Sequence, residues 1–323
     1  MSASQARLPD GRLHFQHGPI DIVIGAEGES AAVAAAHADA WRRFEGVLGE
    51  LVGELAALRR AVARGSCPVA GPIARRMWTA CRPFADNFIT PMAAVAGSVA
   101  QELIASYERA GVDRAWVNNG GDIAWHLASG SSLRLGLYAD IGGLDARSVH
   151  DGIRVDGIVR LTPEMPSRGV ATSGWRGRSF SLGIADSVTV LARTAAAADA
   201  AATVIANAVD VDDPRIDRRP AREIKDDSDL GEIAVTVGVP PLPPALVRRA
   251  LGAGARRAAA LKEAGLIESC TLVCQRQVAV VGPAGELGAD DGTADMGCAD
   301  AGSHTAWRPP AALARSPAGP GRG

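Results

Sequence analysis

The sequence predicts an α+β fold, a single domain of mostly antiparallel sheet with flanking helices. Three observations carry that prediction. Several short runs alternate apolar and polar residues, and several longer runs place apolar residues at helical spacing. Many strand-like runs are also joined by turns too short for the crossover that parallel pairing requires. Hydrophobic residues make up 47% of the 323, enough for a sizeable core. Aromatics are only 4%, so that core must be built mostly from Ala, Val, Leu and Ile.

In chain order, Arg12 to Gly25 alternates around a break at Gly18-Pro19 and reads as a hairpin. Ser30 to Arg64 carries Phe44, Leu48, Leu51, Leu55 and Leu58 at helical spacing, a long amphipathic helix with a bend expected at Gly46 or Gly49. Gly71 to Cys81 and Pro91 to Ala110 are shorter helices, each with Pro near its start; Gly111 follows the second. Asp113 to Asn118, Ile123 to Leu127, Leu133 to Ala139, Gly152 to Leu161 and Ser187 to Ala192 read as strands. Thr194 to Val209 is an Ala-rich helix, and Arg215 to Asp229 a charged surface loop. Glu232 to Val237 is strand-like, Pro243 to Ala264 is a helix closed by Gly265, and Cys270 to Val281 is a last strand. From Pro283 to Gly323, 41 residues hold 8 Gly and 5 Pro and no apolar period survives. The organisation predicted is one domain over 1–282 and a disordered Gly/Pro/Ala-rich tail over 283–323.

Composition narrows the function. The 34 Lys+Arg against 36 Asp+Glu give a net charge of −2, so nothing in the overall balance recruits a nucleic acid. No run of about 18 apolar residues exists for a membrane span. The N-terminus has no apolar signal-like stretch, and the five Cys are odd in number with no repeated Cys-x-x-Cys, the pattern of a reduced, cytoplasmic chain. Cys270 and Cys274 read as packed thiols, and the six His show no metal spacing.

Three segments could carry chemistry. In Asn118-Asn119-Gly120-Gly121-Asp122, adjacent glycines let backbone amides approach an anion, and Asp122 could bond a ribose hydroxyl; the same residues also read as a plain hairpin turn. In Gly169-Val170-Ala171-Thr172-Ser173-Gly174, small hydroxyl residues beside glycines suit phosphate contacts, or simply a polar loop. In Ala198-Asp199-Ala200-Ala201-Ala202-Thr203, Asp199 and Thr203 stand four apart on one helix face. They form a hard oxygen pair suited to Mg²⁺ with phosphate oxygens; alternatively Asp199 is a first-turn carboxylate favoured by the helix dipole and Thr203 a filler.

These segments, in this order, resemble the ApbE-like superfamily, whose characterised members are FAD:protein FMN transferases. The resemblance rests on Gly120-Gly121-Asp122-Ile123, Ala171-Thr172-Ser173-Gly174, Ser187-Val188-Thr189-Val190 and Ala198-Asp199-Ala200-Ala201-Ala202-Thr203, with Ala94-Val95-Ala96-Gly97-Ser98 a weakened form of the family's glycine-containing helix start. It covers roughly residues 10 to 282. It implies an ApbE-like (T-fold-like) domain with FAD in a cleft, Mg²⁺ held at Asp199, Thr203 and Gly97, and flavin nucleotide lined by Asn119, Gly120, Gly121, Asp122, Thr172, Ser173 and Gly174. It also implies an acceptor protein whose Thr receives FMN with release of AMP.

The departures are specific. The family's His-x-x-Asp-Pro-x-Thr-Gly segment is absent, since only twelve residues, Trp175 to Asp186, separate Gly174 from Ser187 and none is His. Asp186 is the only acid there, which leaves Asp199 and Asp186 as the candidate catalytic groups. The family's Lys beside the helix-start glycine is replaced, with Ala96 and Ser98 flanking Gly97. The chain therefore looks like a side branch of the superfamily: a transferase, a flavin-binding or assembly module without transferase activity, or an enzyme that uses the same cleft for another small molecule. The Ala-rich surface of the first long helix would suit a homodimer.

Overall fold

The structure, a computed structural model, describes residues 2–137, 157–177 and 179–282. The expected tail over 283–323, and the expected strand residues 138–139 and 152–156, lie outside the described residues.

The chain opens with β1 (Ser4–Arg7), β2 (Leu13–His17) and β3 (Ile20–Gly28), then α1 (Ser30–Gly53), α2 (Leu55–Leu58), α3 (Pro72–Cys81) and α4 (Val95–Ile104). The strands β4 (Val112–Asn119), β5 (Asp122–Leu127), β6 (Leu133–Leu137), β7 (Gly157–Leu161), β8 (Gly169–Ser173) and β9 (Ser187–Ala192) follow. Next come α5 (Ala195–Ala208), β10 (Asp217–Pro220), α6 (Ala221–Ile224), β11 (Ala234–Gly238), α7 (Pro244–Glu263), β12 (Ser269–Cys274) and β13 (Gln277–Val281). Among the described residues, nine strands form one sheet in the order β1-β2-β3-β4-β5-β8-β9-β12-β13, every pairing antiparallel. The fold is thus α+β with a mostly antiparallel sheet and flanking helices, as the short turns between strands predict.

Alternation along each strand sorts the side chains onto two faces. Phe15, Ile22, Ile24, Val117, Ala124, Ala171, Val188, Val190 and Leu272 meet the helices in the main core. Trp125, Leu127, Val170 and Leu191 face the other way and are covered by Leu135 and Leu161 of the separate two-stranded β6–β7 sheet. On α1, Ala36, Ala40, Phe44, Val47 and Leu51 form the buried stripe. Nearly every residue of α5 is small, which lets its backbone come close to its neighbours. A Cβ at Gly97 of α4 would sit 2.3 Å from the Ala195 carbonyl oxygen, and one at Gly169 of β8 would sit 2.0 Å from the Ala195 nitrogen.

Several boundaries differ from expectation for identifiable reasons. The first long helix ends at Gly53, not Arg64, and α2 follows; the expected bend at Gly46 or Gly49 is instead a break near Gly53-Glu54. Glu54 turns out of the helix to accept the amides of Ala70 and Gly71, both at 2.7 Å, just before α3. The helix expected from Pro91 begins as a 3-10 turn over Pro91–Ala94, and its regular part ends at Ile104. The expected surface loop 215–229 contains β10 and α6. The single strand expected over 270–281 is a hairpin, because Gln275 and Arg276 take φ of 44° and 67° and reverse the chain. Gly265, at φ 68°, closes α7: its amide bonds Lys262 O at 2.9 Å, and the Leu266 amide bonds Leu261 O at 2.9 Å.

Candidate functional site

The β4–β5 turn meets the start of α4 and the first half of α5. Asn119 pairs with Asp122 across a two-residue turn in which Gly120 and Gly121 have φ of 67° and 111°. Positive φ at both central positions is the twist that suits a tight hairpin, and glycine adopts it without strain. The side chain of Asn118 accepts the Gly121 amide at 2.8 Å. Asn119 is buried and donates from Nδ2 to the Ala96 carbonyl at 3.1 Å, tying the turn to the helix start. One residue on, the Gly97 amide donates to Asp199 Oδ2 at 2.9 Å.

Asp122 is also buried, and its Oδ1 accepts the Thr172 amide of β8 at 3.1 Å. Burial, and then the nearby carboxylate of Asp122, push the Asp199 carboxyl well above the ordinary value of 3.8; the amides of Gly97 and Ala96 oppose that shift. Burial, followed by the charge of Asp199, likewise pushes the Cys81 thiol of α3 up. Thr203 lies one turn after Asp199 on α5 and is half-buried. Thr194 starts that helix, its Oγ1 accepting the Ala197 amide at 3.2 Å.

The sequence-predicted residues fall into two networks. Gly97, Asn119, Asp122, Asp199 and the Thr172 backbone form the first. The Thr172 hydroxyl leaves it: it pairs with Thr189 Oγ1 at 2.9 Å, and strand alternation puts both on the sheet face opposite the helices. Ser173 stands on the helix side by the same alternation. The second network gathers about Asp186. Its carboxylate accepts the Gln275 amide at 2.5 Å and Trp175 Nε1 at 3.3 Å, and lies 3.3 Å from Arg176 Nε. Gly174 packs on it, since a Cβ there would meet the Asp186 carbonyl oxygen at 2.3 Å. Sequence reasoning missed Cys81, which stands at the end of a helix with no motif around it.

The arrangement can neutralise a cation. The half-buried Asp199 and the buried Asp122 repel when both are ionised, unless a positive charge comes between them. Among the described residues no group of three or more His, Cys, Asp or Glu could enclose a metal. Such a cation would therefore take few protein ligands and complete its shell with water or substrate oxygens, as Mg²⁺ does.

Comparison with known proteins gives a consistent family. The model of the family described as "AbpE bacteria" matches residues 5–283. The chain is 35% identical over 241 residues to a UPF0280 protein of Methanopyrus kandleri, covering 70% of this chain and 89% of that one. It is 40% identical over 138 residues to a UPF0280 protein of Methanothermobacter thermautotrophicus, covering 42% and 48%. Among solved structures, the apo form of Pseudomonas stutzeri flavinyl transferase ApbE aligns with a TM-score of 0.44 and 13% identity, covering 87% of this chain and 95% of that one. No helix among the described residues is long and apolar enough to cross a membrane.

Proposed function

Because the chain belongs to the AbpE bacteria family, within the ApbE-like superfamily, we propose that it binds FAD or a related nucleotide with Mg²⁺ and transfers FMN to a protein threonine. The observation that carries this reading is the meeting of Asp199 on α5 with buried Asp122 at the β4–β5 turn, the Gly97 amide on one carboxylate and the Thr172 amide on the other. The donors fit Mg²⁺: a carboxylate and a hydroxyl one helical turn apart, hard oxygens that leave several positions for pyrophosphate. When bound, the ion would neutralise charge that builds on the phosphates during transfer.

The chain's own residues have distinct tasks. The Gly97 amide holds Oδ2 of Asp199, and Asp199 with Thr203, one turn on along α5, would hold the ion. Gly120 and Gly121 carry no side chain of their own, Asn118 fixes the Gly121 amide, and Asn119 holds that turn against α4. Asp122 orients β8 through the Thr172 amide, which brings Ser173 and Gly174 to the nucleotide. Transfer joins the acceptor threonine oxygen to the phosphorus of the FMN half, breaks that phosphorus's bond to the bridging oxygen and releases AMP. We assign the hydroxyl proton to Asp186, the acid of the interval where the family's histidine segment is missing.

A second reading has its own support. Asp186 already accepts Gln275 and Trp175 and lies beside Arg176, so it can be a holding point for the β12–β13 turn rather than a base. The chain is then a flavin-binding or assembly module. Incubation of the purified chain with FAD, Mg²⁺ and a threonine-bearing acceptor protein separates the two. AMP release with flavin fixed to the acceptor supports the transferase, and bound flavin without AMP supports the module. No bound flavin at high FAD concentration overturns both.

A further inference from the structure

The two ends of the nine-stranded sheet are built differently. β1 reads Ser4-Gln5-Ala6-Arg7, short, polar, fully exposed and carrying a charge, an edge that does not invite another strand. β13 reads Gln277-Val278-Ala279-Val280-Val281, with no charged residue and no proline. One side of β13 pairs with β12, and its outer side has no strand partner among the described residues. Val278 and Val280 are 56% and 37% exposed, side by side on the sheet face opposite α7. An uncharged, valine-rich strand whose outer edge no described strand pairs needs a partner or it becomes a site of uncontrolled association.

We propose that β13 is the interface with a second copy of this chain, the two strands pairing antiparallel about a twofold axis at Ala279 to join the two sheets. The strand is self-complementary in that arrangement. Val278 of each copy stands opposite Val280 of the other, Gln277 opposite Val281, and no like charges meet. Five residues span only about 17 Å, too short a seam alone to reach the roughly 1,200 Å² of a stable interface. The remainder comes from α7, which runs along the same edge. Gln277 Nε2 bonds the Pro244 carbonyl at 3.3 Å at its start, and Lys262 Nζ bonds the Glu268 carbonyl at 3.3 Å near its end. The twofold axis brings α7 beside its mate on the helix side of the joined sheet. The outer face of α1 is the weaker alternative, since exposed Arg42 and Glu45 interrupt its alanines.

Sedimentation velocity of the full chain tests this, with the double variant V278K/V280K and the single variant Ala279→Cys. The wild type is expected to sediment as a dimer. The lysine variant, which sets Lys opposite Lys in both pairs, is expected to weaken association at least about tenfold with an unchanged far-UV spectrum. On mild oxidation Ala279→Cys is expected to cross-link two copies, because directly opposed residues of antiparallel strands lie within disulfide reach, whereas wild type does not. A monomeric wild type overturns the proposal, as does a dimer that persists in the folded lysine variant. If the lysine variant fails to fold, absence of the Ala279→Cys cross-link overturns it.

Discussion

Gly97 and Asp199 meet where α4 and α5 come closest: the Gly97 amide donates to Asp199 Oδ2 at 2.9 Å, and a Cβ at Gly97 would lie 2.9 Å from the Asp199 Cβ. One glycine therefore serves both packing and the site. Any side chain there separates the helices and releases the carboxylate that the proposed cation needs.

Gly97→Ala is expected to destabilise the fold by between roughly 1 and 3 kcal/mol, the usual cost of overpacking. The contact is with the Ala195 backbone, which cannot swing aside as a flexible side chain would. Urea unfolding of the variant against wild type measures this, and an unchanged midpoint would show that the helices part freely.

Asp199 sets a pH dependence of known sign. Burial, then Asp122, raise its carboxyl above the ordinary 3.8, so the folded chain binds this proton more tightly than the unfolded chain. Its contribution to stability is full below the ordinary carboxylate value and is lost as pH rises through the raised one. Asp199→Asn is expected to remove that loss, so without metal the variant gains on wild type as pH rises from mildly acidic to neutral. Thermal melts in chelator across that range measure the difference, and a constant gap at all pH values would contradict the assignment.

Thr172 separates the two faces of the sheet. Its hydroxyl meets Thr189 away from the helices, while its amide meets Asp122. Thr172→Val keeps the amide, so it is expected to cost about 1 kcal/mol of stability and leave FAD affinity within about twofold. A large loss of affinity in a flavin fluorescence titration would place that hydroxyl on the nucleotide.

Glu102 holds α1, α3 and α4 together. Burial pushes its carboxyl up, but hydrogen bonds from Arg43 at 2.6 Å and Arg76 at 2.7 Å outweigh burial and lower it. With a depressed folded value, its contribution is present above the ordinary carboxylate range and lost as pH falls through the depressed one. Glu102→Gln is expected to cost between roughly 1 and 3 kcal/mol at neutral pH and less in acid. Denaturation at the two pH values checks both the size and the trend.

The sequence makes much of this architecture legible because local signals agree with it. The stripe from Ala36 to Leu51, the prolines that open α3 and α7, and Gly265 all act within a few residues of themselves. β8 is harder, since Gly169 and the small residues Ala171, Thr172 and Ser173 give no hydrophobic alternation. Its strand exists because β5 and β9 pair with it from far along the chain. The turn at Gln275-Arg276 is hidden because neither residue is a glycine or asparagine, yet both hold positive φ. At the site, motif resemblance points to Asp122 and Asp199 separately. Their approach depends on how closely α5 packs, and that packing comes from Gly97 and Gly169 together, not from any local pattern.

The most direct test of the central claim is a titration of FAD into the chain with and without Mg²⁺, repeated with Asp199→Ala. If a cation between the chain's carboxylates and the pyrophosphate holds the nucleotide, Mg²⁺ tightens FAD binding to the wild type and has no effect on the variant. Equal FAD affinity with and without Mg²⁺ in the wild type, or an undiminished Mg²⁺ effect in Asp199→Ala, would contradict it.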